Sequence, residues 1–186
     1  MKWMIASDIH GSSFYTQKML EAYRSEKAER LLLLGDILYH GPRNDLTQEY
    51  NPQFVSEQLN NIKDQIVCVR GNCDAEVDQM MLKFPIMADY VLLAEGSTTI
   101  FATHGHLYNQ EVLPSLYKGD ILLTGHTHIP ACIRHENYTY MNPGSVSLPK
   151  NESWHGYMLL ENGKFVWKDL EGNVKLTFSL ADELSK

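Results

Sequence analysis

The stretch "WMIASDIHG", residues 3–11, is a short apolar run that stops abruptly at an aspartate and a histidine. A run of this length that ends at a polar turn is typical of a buried β-strand. Apolar residues then recur at spacings of four and three from Tyr15 to Ala22, which predicts an amphipathic helix over residues 13–28. Strand, polar turn and helix in this order indicate the first unit of an α/β protein.

The same pattern repeats along the first half of the chain. A strand, a helix, a second strand and a short helix are predicted, in that order, over residues 30–36, 52–63, 65–74 and 75–82. Pro52 suits the first turn of its helix, and Asp74 is placed to cap the short one. This alternation predicts a largely parallel central sheet.

The second half of the chain is richer in strands. A hairpin is predicted over residues 89–106, turning at Gly96 and Ser97, and a helix is predicted near residues 110–117. Further strands are predicted over residues 120–128, 138–145, 154–161, 163–170 and 173–180. Because no linker or repeat interrupts them, we expect one domain over residues 1–186. Its fold class is α/β, with two mixed β-sheets packed as a sandwich and flanked by helices.

Composition and charge exclude several classes of protein. The 186 residues are 44% hydrophobic and 21% charged, as in an ordinary globular domain. A formal net charge of -7 argues against a surface that holds polyanions, so we expect no stable nucleic-acid complex. The three cysteines form no CxxC pair, which favours a reducing compartment, and the first apolar run is too short for a signal segment or membrane span. A cytoplasmic protein without membrane attachment is expected.

Polar side chains with metal-binding chemistry follow the predicted strands of the first two thirds. They are Asp8, His10, Asp36, Asn72, His104, His106, His126 and His128. Because ligands gather beyond the carboxyl ends of strands in α/β sheets, these groups are expected to meet at one rim. Carboxylate, amide and imidazole without thiolate pairs suit Mn, Fe, Zn or Ni. There are more candidate ligands than one ion can use, so two ions sharing a carboxylate, a site suited to phosphoryl chemistry, are expected.

The motifs "DIH", "GD", "GNCD", "THGH" and "GHTH", in that order, resemble the calcineurin-like metallophosphoesterase superfamily. With "HGPRN", "RGNCD" and "NPGS" the chain is similar to the small prokaryotic phosphodiesterases of that superfamily, over about residues 3–160. The resemblance implies a phosphodiesterase with two divalent ions, Mn²⁺ being the expected metal. The nucleophile would be a hydroxide that bridges the two ions and attacks a small phosphodiester.

The resemblance also implies roles for individual residues. One ion would be held by Asp8, His10, Asp36 and His128. The other would be held by Asp36, Asn72, His104 and His126, with Asp36 bridging. Asp36, Asn72, Cys73 and His104 are the expected catalytic residues, and Arg43, His40 and His106 the expected substrate contacts. Separately, Asn142, Gly144 and Ser145 of "NPGS" could contact substrate or support the loop that carries His126 and His128, and support is the favoured role.

One position departs from the family pattern. Many members carry histidine after the asparagine of the "GN" motif, and here that residue is Cys73. A thiol with a reference pKa of about 8.5 is a poorer proton donor near neutrality than an imidazolium. The sequence therefore predicts better turnover of diesters with acidic leaving groups.

Two other functions stay open at this stage. The same ligand set would serve a phosphomonoesterase or a protein phosphatase. The same architecture also resembles a protein-interaction scaffold, although in such a scaffold the metal-site pattern is altered, whereas here every ligand position is filled. The sequence contains no decisive signal for a homo-oligomer interface, which stays open.

Overall fold

The computed structural model describes residues 1–182 and contains more strand than helix. The helices are α1 (Ser13–Ser25), α2 (Pro52–Asn60) and α3 (Glu76–Met81), with single 3₁₀ turns at Lys63–Gln65 and Leu180–Asp182. The strands are β1 (Trp3–Ala6), β2 (Arg30–Leu33), β3 (Ile66–Cys68), β4 (Tyr90–Glu95), β5 (Thr98–Thr103), β6 (Asp120–Leu123), β7 (Ala131–Arg134), β8 (Tyr138–Asn142), β9 (Gly156–Glu161), β10 (Lys164–Asp169) and β11 (Val174–Ser179).

The strands form two mixed sheets, as predicted. The first has the order β11-β10-β9-β1-β2-β3 and the second the order β4-β5-β6-β8-β7. The prediction of a largely parallel central sheet was wrong. Only β1, β2 and β3 run parallel in the first sheet, because the returning strands β9, β10 and β11 extend it antiparallel from the free edge of β1. The predicted domain also includes residues 183–186, which lie outside the described part of the chain, and the single domain stays a prediction.

The centre of the first sheet is covered on both faces, which explains why β1 and β2 are continuous apolar runs. Met4 and Ala6 of β1 pack in the core beneath the helices, whereas Ile5 packs in the core between the two sheets. Adjacent residues of β2 divide in the same way, since Leu31 and Leu32 belong to different cores. A strand buried on both faces needs an apolar side chain at each position.

Local sequence signals determine where the helices begin and end. The Ser12 side chain accepts a hydrogen bond from the Tyr15 N–H at the start of α1. The helix ends at Ser25, earlier than predicted, and Lys27 follows with a left-handed φ of 53°. Asn51 caps α2 in the same way, and Pro52 occupies its first turn as predicted.

Two predicted helix features were wrong, and one strand was missed. Residues 110–117 contain no helix: Pro114 cannot donate a backbone hydrogen bond, and the Asn109 side chain binds the N–H groups of Glu111 and Val112 in a turn. Asp74 does not cap α3, whose N-cap residue is Ala75. Strand β7 was not predicted, because its four residues show no alternation that would mark an edge strand.

The short connections bring several strand ends to one rim. Asp8 and His10 follow β1, Asp36 follows β2, and Asn72 follows β3. From the second sheet, His104 follows β5, and His126 and His128 follow β6, which is parallel to β5. Within residues 1–182, no helix combines the length and apolarity that crossing a membrane requires.

Trp167 of β10 joins the two sheets through a polar contact inside the core. Its side chain is fully buried, and its Nε1–H donates to the backbone oxygen of Asn142 at 2.7 Å.

Trp167→Phe would remove this hydrogen bond and is expected to lower the free energy of unfolding by about 2 kcal/mol. Chemical denaturation measures the change. Trp3→Phe is the control, because Trp3 is half-buried, and equal losses would contradict the prediction.

Candidate metal centre

The predicted ligand atoms form two groups that meet at Asp36. In the first, the Nε2 atoms of His10 and His128 lie 3.3 Å apart, and Asp8 Oδ1 lies 3.3 Å from His128 Nε2. In the second, His104 Nε2 lies 3.1 Å from Asn72 Oδ1 and 3.2 Å from His126 Nδ1. Asp36 Oδ2 lies 3.7 Å from His10 Nε2 and 3.5 Å from His104 Nε2. The structure therefore brings all seven predicted metal ligands together.

Hydrogen bonds to the backbone fix which nitrogen each histidine turns inward. Nδ1 of His10, His104 and His128 contacts the carbonyl oxygens of Tyr39, Leu34 and Leu148, at 2.8, 2.6 and 2.7 Å respectively. A carbonyl can only accept, so in each ring Nδ1 carries the proton and Nε2 faces the centre. His126 differs from these three, because its Nδ1 is the atom that faces His104.

These contacts place hydrogen-bond acceptors against one another. Asp8 Oδ1 is buried and has no hydrogen-bond partner, although its neighbours are the Nε2 atoms of His10 and His128. Lone pairs that face one another at this distance repel unless a proton or a cation lies between them. The residues present therefore fit a divalent cation, and oxygen and imidazole donors are those that borderline metal ions prefer.

Backbone strain is concentrated in the same residues. Asp8, His10, Asp36, His126 and His128 all have φ between 49° and 66°. This left-handed region is unfavourable for residues with a side chain and persists where surrounding contacts impose it. Here it turns the chain sharply after each strand, so that two side chains from one loop reach the two ligand groups.

Two networks of buried hydrogen bonds impose these turns. Asp74 accepts N–H bonds from Asp36, Ile37 and Gly71 at 2.7–2.9 Å and so fixes the loop that carries Asp36. Asn142 donates to the backbone oxygen of Gly125 at 2.7 Å.

The Ser145 and Ser147 hydroxyls complete the second network by donating to the backbone oxygen of Asp8. The proposed supporting role of the "NPGS" residues agrees with these contacts. The structural role of Asp74 was missed, because a capping motif and a loop anchor look alike in sequence.

Two glycines are required by close approach. A Cβ at Gly71 would collide with Asp36 Oδ1, and one at Gly125 would collide with the Ser7 hydroxyl and lie 2.9 Å from Asp8 Oδ2. The first clash is with a predicted metal ligand, and the second is with the residue that precedes one. A side chain at either position would displace a carboxylate of the centre.

Burial and neighbouring charges shift the pKa values of the aspartates and histidines of the centre. Burial opposes ionisation of Asp8, but the close approach of His128 Nε2 to Oδ1 and the charges of the surrounding histidines hold its pKa below the usual value. Asp36 behaves in the same way, because His104 outweighs the effect of burial. For His104, burial favours the neutral ring, yet the hydrogen bond to Asp36 and the nearby carboxylates raise its pKa to about 9. Burial, together with the charge of His104, lowers the pKa of His126.

A cavity of about 910 Å³ opens over these groups. Its walls include His10, Asp36, Asn72, Cys73, His126 and His128, and also the predicted substrate contact Arg43. His40 and His106 are not among them. The His40 ring packs edge-on against Tyr39 and Tyr50, and the His106 ring lies 5.4 Å from that of His104. Substrate contact by His40 and His106 stays a prediction that the cavity does not support.

Two basic residues of the cavity were missed. Arg70 immediately precedes the "GN" motif, and this position was the signal that could have indicated it. Lys150 has no such signal, because it is brought in by a loop whose N–H donates to the His128 backbone oxygen at 3.2 Å. With Arg43, they give the cavity three cationic side chains.

A profile described as the calcineurin-like phosphoesterase superfamily domain matches residues 1–164, and the chain belongs to this superfamily. It is 46% identical over 162 residues to the protein named phosphodiesterase YfcE of Escherichia coli K12, covering 87% of this chain and 88% of that protein. The solved YfcE structure superposes with a TM-score of 0.93 and 42% identity over 97% of this chain and all of that one.

A more distant structure shares the fold alone. Vacuolar Protein Sorting 29 from Cryptosporidium parvum matches with a TM-score of 0.61 and 22% identity, over 96% of this chain and 97% of that one. The chain is therefore a homologue of the phosphodiesterase YfcE with the two-sheet fold and a cluster of aspartate and histidine able to bind divalent metal.

Metal binding should release protons. Because the pKa of His104 is about 9 without metal, the ring is protonated at pH 7, and a metal ion must displace that proton. The apparent affinity for Mn²⁺ is expected to rise by up to about tenfold per pH unit between pH 7 and 9. Calorimetry in two buffers with different heats of protonation counts the protons. A Kd that does not change over this range would contradict the assignment of His104.

Proposed function

We propose that the protein is a phosphodiesterase that uses two divalent ions, Mn²⁺ being the expected metal and Fe, Zn or Ni the alternatives. The observation that carries the proposal is the position of Asp36 Oδ2, which lies within 3.7 Å of a ligand nitrogen in each of the two groups. One carboxylate oxygen shared by two sets of donors is what a binuclear centre requires. The relationship to a named phosphodiesterase at 46% identity supports the same activity.

The first ion would be held by Asp8, His10, Asp36 and His128. The second would be held by Asp36, Asn72, His104 and His126. Divalent ions in such a site lower the pKa of water to about 7 and neutralise phosphate oxygens. The protein supplies fixed donors, since the inward nitrogens of His10, His104 and His128 are selected by backbone carbonyls.

The cavity wall provides the groups that bind an anionic substrate. Arg43, Arg70 and Lys150 face the cavity, while its carboxylates, Asp36 and Asp74, are engaged by backbone N–H groups. The local positive charge opposes the net charge of -7 and favours a phosphate ester. A volume of about 910 Å³ suits a small diester.

Cys73 leaves the site without a strong proton donor at that position. Burial, followed by the charge of Asp36, raises the pKa of its thiol to about 12. Such a thiol donates a proton even less readily than the reference value suggests. The leaving oxygen therefore departs with little help from residue 73.

The cysteines support a reducing location. Cys68 and Cys73 are free thiols, and Cys68 is buried. We place the protein in the cytoplasm on this basis.

An activity screen across Mn²⁺, Zn²⁺, Ni²⁺ and Fe²⁺ tests the function. Wild-type protein is expected to cleave bis-aryl phosphate faster than mono-aryl phosphate, and Asp36→Asn to lose about a hundredfold or more in kcat/KM, because both ion sites lose a charged ligand. Asp45→Asn is the matched control, since Asp45 is exposed and lies outside the cavity wall. Faster mono-aryl cleavage would indicate a phosphomonoesterase. No cleavage and no metal binding would indicate a scaffold.

Leaving-group dependence tests the role of residue 73. In wild type, kcat should fall steeply as the leaving-group pKa rises across a series of substituted phenyl methyl phosphates, because no group protonates the departing oxygen. Cys73→His should flatten this slope by supplying an imidazolium. Cys132→His, at a position outside the cavity wall, controls for the added histidine. A wild-type rate that is independent of leaving-group pKa would refute the prediction.

A further inference from the structure

A second cavity, of about 340 Å³, adjoins the one over the metal centre and is called the apolar groove. Its large apolar and aromatic wall residues are Tyr39, Tyr50, Pro52, Val77 and Met81. The one carboxylate in its wall, Asp78, is buried and accepts the Ala75 N–H at 2.8 Å, so it presents no free charge to the groove. The groove therefore offers aromatic and aliphatic surface without a cation or a free anion.

The apolar groove is continuous with the metal centre. Tyr39, Cys73 and Ala75 belong to the walls of both cavities. Cys73 Sγ lies within 4.8 Å of ligand atoms of His10 and Asp36. A substituent on a phosphate held between the two ligand groups would stand at the mouth of the groove.

The groove is also pre-formed. Tyr39 is held by its carbonyl, which accepts the His10 Nδ1–H, and the His40 ring packs edge-on against both Tyr39 and Tyr50, with centroids 4.7 and 5.2 Å apart. Rigid aromatic walls lose little entropy when they bind a planar group. This contact suits His40 to hold both tyrosine rings in position.

Large apolar side chains are left in water at the rim. Val77 is 62% exposed, Tyr39 is 41% exposed, and Met81 is 37% exposed. Val77 and Met81 are four residues apart on α3, so they lie on the same helix face. Exposed apolar surface that borders a concave polar site is typical of a ligand-binding groove.

We propose that the apolar groove binds an apolar, aromatic ester substituent of the substrate, an inference that rests on the proposed phosphodiesterase function. The phosphate and any polar substituent lie instead in the neighbouring cavity beside Arg43, Arg70 and Lys150. The substrate class is then a phosphodiester with one aromatic substituent. Diesters of two small alkyl groups would leave the groove empty.

Binding of two phosphonates to the Mn²⁺-loaded, full-length protein tests the proposal. Methylphosphonate presents only the anionic group, whereas phenylphosphonate adds one aromatic ring at the same charge. The variant Val77→Ser/Met81→Ser removes apolar surface from the groove without touching a predicted metal ligand. Met80→Ser is the matched control, because Met80 is on the same helix, is 85% exposed and lies outside the groove wall.

Phenylphosphonate is expected to bind wild type and Met80→Ser about tenfold more tightly than methylphosphonate, because the ring removes apolar surface from water. In Val77→Ser/Met81→Ser this ratio should fall to about two, while the Kd of methylphosphonate stays unchanged. If the variant weakened both ligands equally, the ratio of the two Kd values would stay at about ten. That result would overturn the proposal, because the loss would come from a disturbed metal centre and not from the apolar groove.

Two further outcomes separate the subsite from the function. A wild-type ratio near one, in protein that hydrolyses diesters, would overturn the apolar groove and leave the proposed function intact. Failure to bind either phosphonate or to hydrolyse any diester would overturn the proposed function, and the subsite with it.

Discussion

Asp36 Oδ2 stands between two groups of hydrogen-bond acceptors, 3.7 Å from His10 Nε2 and 3.5 Å from His104 Nε2. Acceptors held at such distances repel one another and gain stability only when a proton or cation lies among them. The surrounding structure holds these groups together despite their repulsion. Both sheets end at the same rim, and backbone carbonyls behind the histidines prevent the rings from turning away.

The strain at this rim is supported by groups that bind the backbone of the ligand loops and not the ligand atoms themselves. Asp74 ties the Asp36 loop through three N–H groups, and Ser145 and Asn142 tie the loops of Asp8 and His126. Each supporting side chain is buried. Buried hydrogen bonds to the backbone are costly to break, so they hold the left-handed turns in place.

The space above the centre is divided by polarity. Cationic side chains line the large cavity, and tyrosine, valine and methionine line the apolar groove, with Cys73 in the wall of both. A phosphodiester has a charged phosphate and two substituents of variable polarity. In the proposed arrangement, the phosphate lies in the large cavity and the aromatic substituent lies in the apolar groove.

The sequence by itself determined the fold class and indicated the seven side chains that the structure brings together at one rim. Short apolar runs ending in Asp8, Asp36 or His126 could be recognised because strand burial and turn chemistry are local properties. The position of Arg70 beside the GN motif carried a signal that was missed. Sheet direction, the role of Asp74, strand β7 and the contribution of Lys150 could not be predicted. These features depend on which distant segments meet. The same holds for the apolar groove, whose walls come from α3 and from the loops before α2: their side chains look like ordinary surface residues in sequence, and only tertiary packing gathers them beside the metal ligands.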